Sequence, residues 1–452
     1  MAGSTAYPVS ISEIEFPSQA QSLSHILSDL KRAALSITNR LKSIESDSQF
    51  AQGVSEHYRL PLIANERCGS WYIQPERKVG SAYFKSTDGH AGQWDFSLRR
   101  LNLQVLDVLS QYGGCIVVDS TRRGKAIPDA LSKTAPIWAA VMNKTLFPDE
   151  PAYHNVQFPP DFLGASEESQ IEGRIDGFVA AFKALGLDLE SLKNRMGKPV
   201  RLSWATRDYF YPEYPQNRNF HLMVLCSASK RVRGAEMSEG GYIQGAGDDS
   251  EGWACGLTPD IFWNNRELLL KSREETLPEL IGGLVEKERQ TSSTEQATLI
   301  KPTKNIFVGK SESLNVPDIP FDLIIDCHGD PNLSQGPILN LGCVAGKLGS
   351  RNLRKVLDKV EKFVSRNLEE DLSQSLVIVC DTGKDLSVGT ALMIICLFFD
   401  DDGSYIRLQS GKPINKQYIR QRLAWIVSSK HDVNPSRTTL QSINWYLMER
   451  HD

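Results

Sequence analysis

Residues 380–387 bring a thiol, hydroxyl groups, a glycine and a lysine together in one short segment. In order they are Cys380, Asp381, Thr382, Gly383, Lys384, Asp385, Leu386 and Ser387. An apolar run typical of a buried strand, 376–379, precedes them, and an apolar stretch that predicts a helix, 390–399, follows. In such a strand–loop–helix layout, successive backbone N–H groups and the helix N-terminus converge on an anion. The segment therefore predicts a phosphate-binding loop.

The loop lacks the cation that cleavage of a phosphate ester would need. Cysteine-dependent phosphatases carry Cys, five residues, Arg and Ser, whereas this chain has Leu386 at the Arg position and keeps Ser387. Cys380 is either a nucleophilic thiolate or a packing residue at the strand end, and the missing Arg favours packing. We therefore expect the loop to bind phosphate rather than cleave its esters. The predicted phosphate-binding residues are Cys380, Asp381, Thr382, Gly383, Lys384, Asp385 and Ser387.

A second group of reactive side chains lies at 83–100. It includes Lys85, Asp88, His90, Arg99 and Arg100, together with hydroxyl groups and two glycines. The Asp-Gly pair and the second glycine interrupt both helical and strand periodicity, so 87–92 is predicted to be a loop. In a loop, Asp88 and His90 can point together into a cleft and exchange protons with a substrate. The alternative is an Asp-Gly turn that carries a surface histidine. Arg99 and Arg100 are predicted in the first turns of the following helix.

A third candidate follows the apolar strand at 113–119. This strand ends in Asp119, and hydroxyl groups, a glycine and three cations follow at Ser120, Thr121, Arg122, Arg123, Gly124 and Lys125. Ligands of α/β sheets bind beyond the carboxyl ends of the strands. There, hydroxyl groups, amides and Arg forks can hold a phosphate, while a carboxylate holds ribose hydroxyls or Mg²⁺. The segment fits a sugar phosphate; the alternative is a basic turn that faces RNA.

Alternating strand and helix patterns surround these candidates. Apolar spacing predicts a long amphipathic helix at 23–44. Strands and helices then alternate to about residue 285, a polar stretch predicts a linker at 286–318, and a compact second unit occupies 319–452. The alternation predicts an α/β protein: an N-terminal α/β (or α+β) catalytic domain at 1–285, and a C-terminal α/β domain whose helices cover a mostly parallel sheet.

The composition indicates a soluble protein with more than one domain. A chain of 452 residues that is 40% apolar and 23% charged is typical of a soluble protein of two or three domains. No apolar run reaches membrane-spanning length and the start does not resemble a signal peptide. The eight cysteines are scattered, which indicates reduced thiols in the cytoplasm, with the nucleus as the alternative. A net charge of −4 does not exclude nucleic acid, because binding depends on the local field.

Several long stretches together resemble one family. They are 39–44 (Asn-Arg-Leu-Lys-Ser-Ile), 62–72 (Leu-Ile-Ala-Asn-Glu-Arg-Cys-Gly-Ser-Trp-Tyr), 85–100, 118–125 (Val-Asp-Ser-Thr-Arg-Arg-Gly-Lys), 242–249 (Tyr-Ile-Gln-Gly-Ala-Gly-Asp-Asp) and 256–259 (Gly-Leu-Thr-Pro). This set resembles the fungal and plant initiator tRNA 2′-O-ribosylphosphate transferases, over nearly the whole chain.

The resemblance implies a specific transfer reaction. Members move a 5-phosphoribosyl group from phosphoribosyl pyrophosphate to the 2′-OH of an adenosine (position 64) in the T-stem of initiator methionine tRNA, which excludes that tRNA from elongation. Mg²⁺ would accompany the donor. The expected partners are thus initiator methionine tRNA and phosphoribosyl pyrophosphate, and no membrane.

The resemblance also implies a dual-specificity-phosphatase-like C-terminal domain. Residues 380–387 match its signature loop except at Leu386, and Asn434 and Pro435 match the Asn-Pro of its last helical segment. The general acid of a phosphatase is missing too, since 342–351 contains no acidic residue. Two rival functions stay open: a cysteine-dependent RNA or protein phosphatase, and a non-catalytic tRNA-binding pseudophosphatase.

Within the transferase, the residue types suggest roles. Asp119 and Thr121 are assigned to ribose or to the metal, and Arg122, Arg123 and Lys125 to phosphate. Asp88 or His90 is the candidate base. Lys85, Arg99 and Arg100 are expected to contact phosphate or tRNA. The 380–387 loop is expected to hold the donor's 5-phosphate or a tRNA phosphate, with Lys384 as a point charge in place of the Arg.

Overall fold

The computed structural model describes residues 35–86, 92–208, 214, 218–232, 238–291, 296–314, 320–331, 337–344, 346–370, 374–406 and 414–449. Within these ranges, strands and helices alternate around two separate five-stranded sheets. The predicted α/β class is confirmed.

The first sheet is parallel throughout. Its strands are β1 (Leu62–Asn65), β2 (Lys78–Ala82), β3 (Gly114–Asp119), β4 (Val200–Ala205) and β5 (His221–Ser227). They lie in the order β2-β1-β3-β5-β4. All side chains of β1, β3 and β5 are buried, as expected for a parallel sheet covered on both faces. A short hairpin of β6 (Ser238–Glu239) and β7 (Tyr242–Ile243) lies outside this sheet.

Helices cover both faces of the first sheet. They are α1 (Ile37–Tyr58), α2 (Gln104–Tyr112), α3 (Ala135–Leu146), α4 (Ala165–Glu172), α5 (Ile175–Lys183), α6 (Leu189–Met196), α7 (Pro259–Asn264), α8 (Arg266–Lys271) and α9 (Leu277–Thr291).

Helix α1 shows how local chemistry sets the bounds of an element. The side chain of Ser36 accepts a hydrogen bond from the N–H of Asn39, and the Glu274 carboxylate accepts from the first two helical N–H groups, at 2.8 Å each. The helix ends at Tyr58, because the next residue, Arg59, takes a left-handed conformation with φ 53°. The predicted helix at 23–44 is thus partly wrong: residues 23–34 lie outside the described residues, and the helix continues to Tyr58. Its buried face includes Ser43, Asp47 and Ser48, so the apolar period stops before the helix does.

The second sheet begins inside the predicted linker. Its strands are β8 (Thr298–Leu299), β9 (Ile306–Lys310), β10 (Leu323–Asp326), β11 (Ile338–Asn340) and β12 (Leu376–Cys380), in the order β11-β10-β12-β9-β8. Only the edge strand β8 is antiparallel. The linker boundaries at 286–318 were wrong, because α9 extends to Thr291 and 298–310 pair within the sheet. The strands here are short and have polar neighbours, which concealed them in the sequence.

Four helices complete the second domain and join it to the first. They are α10 (Gly346–Glu370), α11 (Leu386–Phe398), α12 (Lys416–Ser429) and α13 (Arg437–Met448). One cluster of buried apolar side chains contains residues of both domains, including Phe182 of α5 and Ile419 and Leu423 of α12. Gln421 of α12 also donates a hydrogen bond to the carbonyl of Ala184, at 3.1 Å. The domains therefore share a core along α5 and α12.

The described helices give no sign of a membrane span. None of them is both long enough and apolar enough to cross a bilayer.

Candidate active site between the two domains

The site is built at the carboxyl edge of the first sheet, where β1 and β3 lie side by side. From β1 the chain continues to β2 on one side, whereas β3 leads to β4 and β5 on the other. Such a reversal of strand order is where open α/β sheets bind ligands. Asn65 ends β1 and Asp119 ends β3, and the Asn65 side-chain amide donates to Asp119 Oδ2 at 2.8 Å. Gly69 is required nearby, because a Cβ on it would lie 2.2 Å from the Val118 carbonyl oxygen.

Asp119 lies at this point but is completely buried. Its carboxylate accepts from Arg67 Nη2 at 3.0 Å, from Cys68 Sγ at 3.1 Å and from the Ser120 N–H at 2.7 Å, in addition to Asn65. These donors occupy both oxygens. Direct coordination of Mg²⁺ by Asp119, as the sequence suggested, does not fit this arrangement, because the ion would have to displace Arg67. The described residues also contain no group of three or more His, Cys, Asp or Glu side chains arranged to hold a metal ion.

Arg67 connects Asp119 to the surface. Its guanidinium also pairs with Asp248 at 3.1 Å, and a quarter of its side chain is exposed in a cavity wall. Burial raises the pKa of Asp248, and Arg67 opposes that shift. Site prediction from the sequence missed Arg67 and Asp248. Their positions in the sequence could have indicated them. Arg67 lies just after a strand end, and Asp248 lies just after the glycine-rich 245–247 turn.

The cations that follow Asp119 do not act as one group. Arg122 pairs with Asp248 at 3.3 Å and with Asp249, and Lys125 pairs with Asp129 at 3.5 Å. Thr121 is buried, and its N–H donates to Ser229 Oγ at 3.3 Å. Arg123 is exposed and lines a different cavity of about 870 Å³ with Lys230 and Arg231. The predicted phosphate roles of these side chains stay predictions, and the contacts of Arg122 and Lys125 favour structural roles.

Two adjoining cavities form a cleft between the domains. Their volumes are about 720 and 430 Å³, and both are lined by Lys85, Ser86, Ser97, Arg99 and Arg437. Arg67 and Arg100 also line the smaller cavity, and Lys416 and Arg420 the larger one. Arg100 stacks over the Tyr83 ring at 5.0 Å. The structure therefore brings the predicted residues Lys85, Arg99 and Arg100 together in a basic cleft.

Arg99 and Arg100 reach the cleft from a loop rather than from a helix. Helix α2 begins at Gln104, because Asn102 takes a positive φ of 54° and its side-chain oxygen accepts the N–H of Tyr83 at 2.8 Å. The predicted helical position of these two arginines is thus wrong.

The candidate base residues Asp88 and His90 lie at 87–91, outside the described residues. The chain enters this segment from Lys85 and Ser86 and leaves it towards Gln93, and all three line the larger cavity. Their assignment stays a prediction.

The Cys380 loop makes most of its polar contacts with its own domain. Cys380 is 1% exposed and its Sγ lies 3.1 Å from Ser387 Oγ. The N–H of Gly383 donates to the Cys380 carbonyl at 3.0 Å, and the N–H of Lys384 donates to Thr382 Oγ1 at 3.2 Å. Two of the amides expected to cradle an anion are therefore used inside the loop. Leu386 is 4% exposed and belongs to the apolar core.

Two charged side chains of the loop lie close to groups of the same domain. Lys384 Nζ pairs with Asp432 at 3.4 Å, and Asp381 Oδ2 lies 3.6 Å from the ring nitrogen Nε2 of His328. Burial raises the pKa of Asp432, but Lys430 and Lys384 outweigh it, so the net shift is downward and Asp432 stays ionised. Lys384 is thus directed to a carboxylate, and its role as a substitute for the missing Arg stays a prediction.

A short connection, the 434–436 strap, links the loop to the cleft. The Asn434 N–H donates to the Lys384 carbonyl and the Ser436 N–H donates to Asp385 Oδ1, both at 2.8 Å. On its other side, the Pro435 carbonyl accepts from Arg99 Nη1 at 3.4 Å. The strap therefore lies between the signature loop at 380–387 and the basic cleft.

Comparisons with known proteins cover both domains. A family model described as the Rit1 N-terminal domain matches residues 30–286, and one described as the Rit1 DUSP-like domain matches residues 337–447.

Two relatives match almost the full chain. An uncharacterized protein of Schizosaccharomyces pombe is 36% identical, over 91% of this chain and 94% of its own. The tRNA A64-2′-O-ribosylphosphate transferase of Saccharomyces cerevisiae is 32% identical, over 94% of this chain and 95% of its own. Among solved structures, a leucine-rich-repeat and phosphatase-domain protein of Entamoeba histolytica covers 33% of this chain and 90% of its own, at 14% identity and a TM-score of 0.25. That similarity is too low to support a conclusion.

Proposed function

The chain belongs to the Rit1 family, and we propose that it transfers a 5-phosphoribosyl group from phosphoribosyl pyrophosphate to the 2′-OH of adenosine 64 in initiator methionine tRNA. The relative whose printed name states an activity is a tRNA ribosylphosphate transferase, and the match extends over nearly the full length of both chains. This makes the protein a tRNA-modifying transferase. The donor, the initiator tRNA and a cytoplasmic location are the finer parts of the proposal.

The observation that carries the proposal is the basic cleft, which is connected to the strand-order reversal of the first sheet through Arg67. Both substrates are polyanions, and Lys85, Arg99 and Arg100 meet in this cleft beside Arg67. Among the described lining residues, cations outnumber the two carboxylates, Glu66 and Asp95, and such an excess of positive charge concentrates anions and strengthens their binding. Its walls come from both domains, so a bound substrate would contact the second domain as well as the first.

The chemistry requires one bond to form and one to break. The 2′-oxygen of the adenosine forms a bond to C1 of the phosphoribosyl group, and the bond from C1 to pyrophosphate breaks with its electron pair leaving on pyrophosphate. Positive charge develops on the ribose ring, as in glycoside hydrolysis. Arginine and lysine groups fixed around the leaving group stabilise its charge without further reorganisation. Mg²⁺ is part of the proposal only as a companion of the pyrophosphate, and no step is assigned to it.

The proton of the 2′-OH needs an acceptor. Asp88 and His90 are proposed for this role, because their segment is joined on both sides to residues of the cleft wall. Asp119 is a poorer candidate, since its carboxylate is buried and is engaged by Arg67 and Asn65. We propose instead that Asp119 holds Arg67 in position.

The phosphatase alternative fits less well. The residue at the Arg position, Leu386, is buried in the core, and Lys384 is paired with Asp432. A phosphoryl transition state at Cys380 would thus lack the guanidinium that stabilises it.

The decisive experiment follows the ribosyl group. The full-length protein is incubated with Mg²⁺, phosphoribosyl pyrophosphate labelled in the ribose, and either initiator or elongator methionine tRNA. The proposal predicts label in initiator tRNA alone, and loss of labelling when the adenosine carries a 2′-O-methyl group. No label in either tRNA would refute it, and release of phosphate from a chromogenic aryl phosphate would support the phosphatase alternative.

The variants Asp88→Ala and His90→Ala, assayed singly in the same way, test the proposed proton acceptor. Unchanged turnover of both variants would exclude these two residues.

A further inference from the structure

We propose that the second domain binds phosphate groups of the substrates through Lys416, Arg420 and Arg437, rather than through its signature loop. These three residues are called the C-terminal cation triad below. The inference deepens the proposed function, and it rests on it for the identity of the substrates.

The C-terminal cation triad faces the first domain. Lys416 and Arg420 are four residues apart on α12, so they extend from the same face of the helix. Arg437 is the first residue of α13. All three are exposed and line the 720 Å³ cavity, whose opposite wall contains Lys85 and Arg99. Cations from both domains therefore line the same cavity, where they can bind one phosphate group together.

The charges of this cavity are unbalanced. Its wall contains Lys85, Arg99, Lys416, Arg420 and Arg437, and among the described residues Asp95 is the only carboxylate in it. Burial raises the pKa of Asp95, while Arg99 and Lys85 oppose the shift. Within the described part of the chain, none of the C-terminal cation triad forms an ion pair with a carboxylate. Cations that converge on a cavity without partners are poised to bind a polyanion.

The triad is held in place by the packing beneath it. Ile419 and Leu423 of α12 are buried in the core shared by both domains, and Gln421 is hydrogen-bonded to Ala184. Arg437 directly follows the strap, which the signature loop fixes through Asp385 and the Lys384 carbonyl. A rigid support lowers the entropy lost when a ligand binds.

The signature loop is the weaker phosphate site of this domain. Two of its amides bond within the loop, its lysine is paired with Asp432, and it carries the carboxylates Asp381 and Asp385. The loop is thus a support for the strap, and the phosphate contacts lie on the cleft side of it.

The test compares two charge-neutralised variants of the full chain. One carries Lys416→Gln, Arg420→Gln and Arg437→Gln. The control carries Lys355→Gln, Lys359→Gln and Arg366→Gln, three exposed cations of α10 that line neither cavity of the cleft. Binding of inorganic pyrophosphate with Mg²⁺, and of initiator tRNA at several salt concentrations, is measured by calorimetry and fluorescence anisotropy. Thermal unfolding confirms that both variants fold, and Arg420→Glu alone serves as a second, milder probe.

The outcomes separate the two sources of phosphate. If the triad binds RNA, tRNA affinity falls about tenfold or more and the salt slope decreases by about 2 to 3, while the control is unchanged. If it binds the donor, pyrophosphate affinity falls about tenfold or more and tRNA binding is retained. Equal affinities of the triad variant, the control and wild type for both ligands would overturn the inference. Because these are binding measurements, triad-dependent binding without labelling of tRNA would refute the proposed function and leave the inference standing.

Discussion

Asp119 lies at the position in the fold that the sequence predicts, but its contacts differ from the predicted ones. It ends a buried strand at the ligand-binding edge, as its sequence context predicted, but its oxygens face Arg67, Asn65 and Cys68 rather than open space. Because Asp119 is one of two buried carboxylates that pair with Arg67, this acid contributes to stability as well as to the position of Arg67.

Asp119→Asn is therefore expected to destabilise the protein by about 2 kcal/mol, since Arg67 loses one of its two buried counter-charges and keeps Asp248. Urea unfolding measures this change, and the same samples are assayed for transfer. The matched control is Asp249→Asn, because Asp249 pairs with Arg122 at an exposed position, where such pairs contribute about 1 kcal/mol or less. An Asp119→Asn protein of wild-type stability that has lost transfer would instead indicate direct contact of Asp119 with substrate or metal.

Cys380 is expected to be dispensable for transfer. Its thiol is buried against Ser387, so Cys380→Ser should retain transfer within about twofold and change the free energy of unfolding by about 1 kcal/mol or less.

Of the eight free cysteines, only Cys255 is exposed, so an alkylating reagent should label that residue first.

Cys255→Ser is the control for the labelling experiment. This variant should resist alkylation and stay active in the native state. Loss of transfer in Cys380→Ser at unchanged stability would show that the thiol has a chemical role.

The candidate functional residues lie at or near the ends of strands and helices. Asp119 is the last residue of β3, Arg67 lies just after β1, Arg99 lies in the loop before α2, and Arg437 begins α13. The Cys380 loop, which has the most recognisable pattern, now supports the strap between its strand and the cleft. This supporting task does not need an Arg at position 386, because the Lys384 carbonyl and the Asp385 carboxylate make the contacts.

Helix α1 contains a buried carboxylate that contacts two distant segments of the chain. Asp47 is fully buried and accepts from the Tyr242 hydroxyl at 2.9 Å and from Arg207 Nη2 at 3.1 Å. Burial raises its pKa to about 7, although Arg207 and Tyr242 oppose the shift. The folded state therefore binds this proton more tightly than the unfolded chain does.

The stability that Asp47 contributes should be fully present below about pH 4 and be lost as the pH rises through about 7. Asp47→Asn cannot titrate. The difference in unfolding free energy between wild type and this variant should change by a few kcal/mol between pH 4 and 8. Urea unfolding across that range measures it, with the exposed Asp176→Asn as control. A constant difference would show that Asp47 has an ordinary pKa.

For the molecule as a whole, charge distribution matters more than the total. The chain carries a net charge of −4, yet the interdomain cleft is lined by lysines and arginines from both domains. A polyanion can therefore bind to an acidic protein, because binding depends on the electrostatic potential at the cleft rather than on the net charge.

We expect tRNA binding to depend strongly on salt. With about four phosphate contacts, affinity should fall on the order of a hundredfold when the salt concentration rises fourfold, because bound counterions are released from the RNA. Titrations at several salt concentrations measure the slope, with thermal unfolding in each buffer as the control. A flat dependence would show that the cleft does not contact the RNA backbone.

The sequence predicted much of this architecture. The apolar runs at β3, β5 and β12 are visible because buried parallel strands are continuously apolar. The α/β class and the family also followed from the residues. Short strands such as β8, and the second half of α1, were not predictable, because their burial depends on partners far away in the chain.

Residue types and local spacing were enough to select the candidate side chains, since strand ends, glycine turns and cation clusters are local features. Their tasks depended on neighbours that folding brings together. Arg67 and Asp248 are 181 residues apart, and Arg99 and Pro435 are 336 apart, so no local pattern relates them. Only the packing of the two domains shows that Lys85 and Arg99 share a cleft with Lys416, Arg420 and Arg437, because α12 is held against α5 by a common core.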